Sequence, residues 1–132
     1  MIGMTGDSAP RWMRPYSDEV RTLPAGRWWD AVRVPLAPGL RTLESLGDDT
    51  GAVIRDGFGD VLYWLVLPNS AADWSLPQVQ VLGPGCHVAV PPLHRTSGPG
   101  LVWQVALRSA GREWTRPERL HAALVAAQSQ VG

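Results

Sequence analysis

The longest uninterrupted apolar run in the chain is VLYWLVL at positions 61–67. A strand that is apolar at every position has cover on both faces, so this run predicts the central strand of a sheet. GAVIRD at 51–56 precedes it, and Asp56-Gly57-Phe58-Gly59 joins the two. Two apolar runs around a glycine-bearing corner predict a β-hairpin. Upstream, WWDAVRV at 28–34 predicts a first strand, closed by Pro35, which has no N–H to give a ladder. Leu36, Leu40 and Leu43 then recur at helical spacing with Gly47 in the C-cap place, and a short helix is expected over 38–46.

Residues 69–77 (NSAADWSLP) read as a loop or a single helical turn. Residues 79–82 and 87–90 flank Gly83-Pro84-Gly85 and are predicted to pair as a second hairpin, which Pro91-Pro92 stops. A tight polar loop follows at 93–100 (LHRTSGPG), then a strand at 101–107 (LVWQVAL). Thr115 and Glu118 stand at capping-box spacing ahead of Leu120, Leu124 and Ala127, which predicts a closing helix. Residues 1–24 mix Gly, Pro, Ser and Arg with Trp12, Met13 and Tyr16 without any period. They read as a flexible N-terminal arm ahead of a single domain at 25–132. The order β-α-β-β-β-β-β-α predicts an α+β fold, a mainly antiparallel sheet of about five strands with two helices.

Composition narrows the class. A length of 132 residues is enough for one domain with a real core, and a single cysteine, Cys86, excludes an internal disulfide framework. No apolar run approaches the roughly 20 residues of a membrane span, and the N-terminus has no signal-peptide pattern, so a cytoplasmic protein with no membrane partner is expected. Twelve basic residues balance twelve acidic ones, which argues against affinity built mainly on phosphate neutralisation. All the basic residues are arginine, as a GC-rich genome favours. Seven tryptophans against one phenylalanine suggest that some aromatic side chains face a partner.

Chemistry-bearing residues concentrate between 79 and 103. Cys86 and His87 are adjacent, so in a strand they point to opposite faces and cannot form a nucleophile–base pair. His87, His94, His121 and one cysteine do not match the spacing of a zinc or iron site, and Asp48-Asp49 reads as a turn. No metal and no cofactor is predicted. The corners at 83–85 and 97–100 each contain proline and open no helix, which excludes a P-loop or dinucleotide fingerprint. His94, Arg95, Thr96 and Ser97 do gather donors in one loop beside rigid strands, where binding residues tend to lie.

The run Gly83-Pro84-Gly85-Cys86-His87-Val88-Ala89-Val90 resembles the second motif of the bacterial bifunctional primase/polymerase branch of the archaeo-eukaryotic primase superfamily. There a glycine-rich turn leads into a strand bearing a histidine followed by alternating apolar residues. Pro91-Pro92, Ser97-Gly98 and Trp103 extend the similarity over about a fifth of the chain. The resemblance implies that His87 contacts an incoming nucleotide. The family's first motif is an Asp-x-Asp pair that binds the catalytic metals, and this sequence contains no Asp-x-Asp. What the resemblance implies is therefore a reduced relative without two-metal catalysis.

The expected function is a non-catalytic binding or adaptor domain that engages a protein partner. Its candidate binding residues are His87, His94, Arg95, Thr96, Ser97, Trp28 and Trp103; no catalytic set is assigned, and homo-oligomerisation stays open. The alternative is a nucleotide or single-strand nucleic-acid module, with His87 and Arg95 on phosphate and a tryptophan stacked on a base.

Overall fold

The computed structural model describes residues 11–13, 18–107 and 114–129. Strands β1 (Arg21–Pro24) and β2 (Asp30–Pro35) lead into helix α1 (Leu36–Leu46). The hairpin β3 (Val53–Asp56) and β4 (Val61–Val66) follows, then β5 (Gln80–Leu82), β6 (His87–Val90), β7 (Leu101–Val105) and helix α2 (Pro117–Ser129). Five strands form one antiparallel sheet in the order β5-β2-β4-β3-β7, and β1 and β6 form a separate antiparallel ribbon. The class is α+β with two helices, as expected, and β4 is the central strand.

The fold has three layers. Alternate residues of the sheet feed two cores, as period-2 geometry requires. Val32, Val34, Leu62, Trp64 and Val66 pack with Leu46, Leu120 and Leu124 under the helices. Ala31, Ile54, Leu65 and Trp103 pack with Leu23, Val88 and Val90 of the ribbon and with Trp12 and Trp29. Burying an aliphatic side chain of this size contributes about 1.5–3 kcal/mol, so the two faces are the main stabilising terms.

Two expectations are corrected. Residues 79–82 and 87–90 do not pair with each other: β5 joins β2, and β6 joins β1. The Gly83-Pro84-Gly85 corner carries the chain from one layer to the other. Cys86 N–H closes a turn on the Gly83 carbonyl at 3.0 Å, and Ala25 N–H reaches the Cys86 carbonyl at 2.9 Å. The partner of β6 is β1, inside the segment read as the arm; Trp12 and Met13 of that segment are also buried. Residues 1–10 and 14–17 lie outside the described residues.

The closing helix is present, but Thr115 does not cap it. Pro117 opens α2, a position where its missing N–H costs nothing. Thr115 instead accepts a hydrogen bond from Gly51 N–H at 2.8 Å and donates its own N–H to the Leu65 carbonyl at 3.1 Å. Trp64 Nε1 donates to Thr50 Oγ1 at 3.1 Å beside it. These buried bonds tie the start of α2 to the central strand.

The passage between layers depends on Gly26, whose φ is +91° and whose absent Cβ would come within 2.8 Å of the Pro84 backbone. Gly85, at φ +95°, has open space around its Cα. Gly26→Ala is expected to lower stability by about 2–4 kcal/mol, combining left-handed strain with overpacking. Gly85→Ala carries the strain alone and is expected to lose about 1–2 kcal/mol. Urea denaturation of the two variants checks the ordering.

Candidate functional site

Strand register divides the sequence-derived candidates between the two ends of the main sheet. Leu101 of β7 pairs with Asp56 of β3, and Val61 of β4 pairs with both Asp56 and Pro35, so these residues mark one end. Asp30 pairs with Val66, and Ala31 with Leu82, marking the other. His94, Arg95, Thr96 and Ser97 belong to the loop that enters the first end. Trp28 and the glycine–proline corner ahead of His87 belong to the second.

At the first end two loops interlock. Arg95 Nε donates to the Leu101 carbonyl at 3.1 Å, and its Nη2 donates to the Pro99 carbonyl at 2.7 Å. The same residue receives Trp103 N–H on its own carbonyl at 2.9 Å. Its planar fork thus clamps its own loop, and His94, Thr96 and Ser97 are held exposed around it. His94 Nδ1 lies 4.0 Å from Asp18 Oδ1, with both groups in solvent. The neighbouring hairpin corner is braced by Asp56 Oδ1, which accepts the N–H groups of Phe58 at 3.0 Å and Gly59 at 3.2 Å. Gly57 N–H donates to the Gly100 carbonyl at 2.8 Å and locks the corner to the loop.

Phe58 stands on this junction at 85% exposure. Its ring lies against Gly100, where a Cβ would come within 2.9 Å of it. In the sequence Phe58 reads only as part of a turn. The signal that marks it is a large apolar residue between two glycines at a corner, where no sheet face is available to bury it.

At the second end, His87 is exposed on β6, opposite Pro24 of β1, while Cys86 packs against the core. The two side chains diverge as strand geometry requires. Arg27 places its guanidinium 4.6 Å from the ring centroid of half-buried Trp28, a cation–π contact. Asp30 is 2% exposed; Oδ2 accepts Asn69 N–H at 2.7 Å, while Oδ1 has no hydrogen-bond partner among the described residues.

Trp103 joins neither surface. It is 1% exposed, and its Nε1 donates to the carbonyls of Pro91 and Pro92 at 3.1 Å each. It anchors the entry to the 93–100 loop from inside the core. Among the described residues no three His, Cys, Asp or Glu side chains gather as metal ligands would, and no helix is long and apolar enough to cross a membrane.

Comparison with protein-family models, with curated proteins and with solved structures finds no match to this chain.

The Arg95 clamp predicts a local effect. Arg95→Lys supplies a point charge in place of a two-armed fork. The amides of Trp103 and Gly57, whose acceptors are the Arg95 and Gly100 carbonyls, are expected to exchange with deuterium at least about tenfold faster. Global unfolding free energy is expected to fall by less than about 1 kcal/mol, since Arg95 is exposed and belongs to neither core. Amide exchange followed by NMR, with urea denaturation alongside, measures both.

Proposed function

We propose that this protein is a binding domain that engages a protein partner through the loop end of its sheet, with Phe58 as the apolar anchor and Arg95 holding the surrounding loop. The observation that carries this reading is Phe58, 85% exposed on a corner fixed by three backbone N–H bonds. Single exposed apolar residues are ordinary, but an aromatic ring held on two interlocked loops loses little freedom when a partner covers it. The rim of His94, Thr96 and Ser97 is polar, as the edge of a protein–protein contact is. Charge balance supports the same reading, because a surface without excess arginine gains little from counterion release.

Phe58→Ala and Arg95→Ala are expected to weaken partner capture by about tenfold or more while the unfolding midpoint stays near that of the parent, since truncating a central aromatic anchor costs about 2 kcal/mol or more. Quantitative affinity capture from a cell extract, followed by titration of the recovered partner, provides the measurement. Capture undiminished in both variants would sink the proposal.

A second reading is favoured by the Arg27–Trp28 pair, which follows Pro24, the register partner of His87: a nucleotide or single-strand module with an indole to stack a base and a guanidinium for phosphate. It rests on the primase/polymerase resemblance for the role of His87. Titration of tryptophan fluorescence with nucleotides and short oligonucleotides, repeated in Trp28→Ala, separates the readings. Saturable quenching that disappears in the variant supports the nucleotide module, and an unchanged signal at millimolar nucleotide rejects it.

A further inference from the structure

One edge of the β1–β6 ribbon carries free main-chain groups. Ala25 N–H donates to the Cys86 carbonyl at 2.9 Å, and from there the register runs through Leu23↔Val88 and Arg21↔Val90. Hydrogen-bonded pairs alternate with non-bonded ones in an antiparallel ladder. Val88 and Val90 therefore turn their main-chain groups to β1, and His87 and Ala89 turn theirs away. Pro24, which has no N–H, fits opposite His87 for the same reason. Among the described residues no strand but β1 pairs with β6, and no turn or loop bond reaches His87 or Ala89. The other edges are managed. Pro24 interrupts the donors of β1, β5 is three residues long, and on β7 the Trp103 N–H is taken by the Arg95 carbonyl.

The main sheet extends beneath this edge. Gln80, Arg33, Tyr63 and Ile54 stand in one cross-strand row, and directly opposed residues share a face. Tyr63 packs against the ribbon-side core, so the row belongs to the face that the ribbon covers. Cover is incomplete: Ile54 is buried, Tyr63 and Arg33 are half-buried, and Gln80 is exposed. Trp12 packs with Trp29, just ahead of Asp30, and Arg21 of β1 donates to the neighbouring Met13 carbonyl at 2.9 Å. β1 is thus the strand of the ribbon on the Asp30 side, and the free edge of β6 looks toward the uncovered row. The Arg33 guanidinium has no ion pair and no hydrogen bond among the described residues. Ala31 and Pro35 along β2, and Val61 and Leu65 diagonally on β4, share its face and carry no charge.

We propose that the free edge of β6 takes up an extended acidic peptide as a further strand. The N–H and C=O groups of His87 and Ala89 supply the main-chain bonds, as strand addition at a sheet edge requires. A residue of the added strand opposite Val88 faces the main sheet, as Val88 does, and an acidic side chain there reaches toward Arg33. Charge selects the occupant, because a guanidinium without a carboxylate among its neighbours gains most from a partner that brings one. A second copy of the chain is the poorer fit. Its own main sheet lies under its β6 and would occupy the space above Gln80 and Arg33. The surface needs neither Phe58 nor the 93–100 loop, so it stands apart from the protein-binding reading above.

The test is titration of the full chain, labelled with 15N, in low salt with three blocked peptides. These are acetyl-Thr-Val-Glu-Val-Thr-amide, its lysine counterpart acetyl-Thr-Val-Lys-Val-Thr-amide, and the acidic peptide N-methylated at both valines, which lacks the pairing N–H groups. A saturable shift of the His87 and Ala89 amide signals is expected with the first alone. Arg33→Gln is expected to weaken that binding about fivefold or more. Ala89→Pro removes an outward N–H at an edge position where proline is tolerated, and is expected to abolish it. Circular dichroism and urea unfolding confirm that both variants are folded, and the N-methylated peptide tests the same bonds in the parent chain. No saturable shift with the acidic peptide at tens of millimolar, equal binding of the lysine or N-methylated peptide, or equal affinity in folded Arg33→Gln overturns the proposal. Shifts of the same amides with protein concentration alone, without peptide, identify a second copy as the occupant and overturn it as well.

Discussion

Strand β4 is hydrogen-bonded on both edges and apolar on both faces, so the chain must supply two covers rather than one. The helices supply the first, α1 directly after β2 and α2 at the end of the chain. The second is assembled from β1 and β6, neither of which adjoins the hairpin in sequence. The remaining structure serves this need. Gly26 and the Gly83-Pro84-Gly85 corner let two chain segments cross close together, so that β5 ends in the main sheet and β6 begins in the ribbon. The Gly51–Thr115 and Trp64–Thr50 bonds fix α2 over the opposite face. Loops at the two ends are then held by rigid strands, and their conformations follow from where those strands finish.

The parts of this architecture that were legible in the sequence are those with a local cause. The β3–β4 hairpin, the central place of β4 and both helices follow from runs and spacings within about ten residues. The ribbon was not legible, because β1 offers one buried residue, Leu23, between an exposed threonine and a proline. Its strand character comes from the register Leu23↔Val88, a pairing across more than sixty positions. The same fact misassigned β5 and β6 to one hairpin: a glycine–proline corner states that the chain turns, not which partner it turns toward. Trp103 differs from its expected place for a related reason. An aromatic residue after a polar loop looks available, but its indole N–H is held by the two proline carbonyls that no ladder uses.

Tryptophan use in the ribbon-side core has its own physical logic. Trp12 meets Trp29 edge-on at 5.7 Å and stacks on Trp114 at 6.2 Å, so three large rings fill the space between short strands that have few side chains to offer. The arrangement leaves Trp12 Nε1 and Trp29 Nε1 buried without acceptors among the described residues, and Asp30 Oδ1 without a donor. A buried unpaired polar atom costs about 1–3 kcal/mol. The apolar area of the rings offsets that cost at the two indoles. Asp30 has no such area, and its one backbone bond, to Asn69, holds the loop after β4 against the start of β2.

The split between the two ends of the sheet sharpens the choice between a protein partner and a nucleotide. A phosphate at His87 would meet the outer face of the ribbon, where Thr22, Pro24 and Ala89 carry no charge. Arg21, on the same ribbon, already donates to the Met13 carbonyl at 2.9 Å. Arg27 would have to leave the face of Trp28 to follow the phosphate, giving up one favourable contact for another. At the loop end the exchange is different. Phe58 is 85% exposed, and the carbonyl bonds of Arg95 lie within its own loop. Under the proposed protein-binding reading, covering Phe58 would remove apolar area from water while the Arg95 carbonyl bonds stayed in place, whereas a phosphate at the histidine end would draw Arg27 off the Trp28 ring.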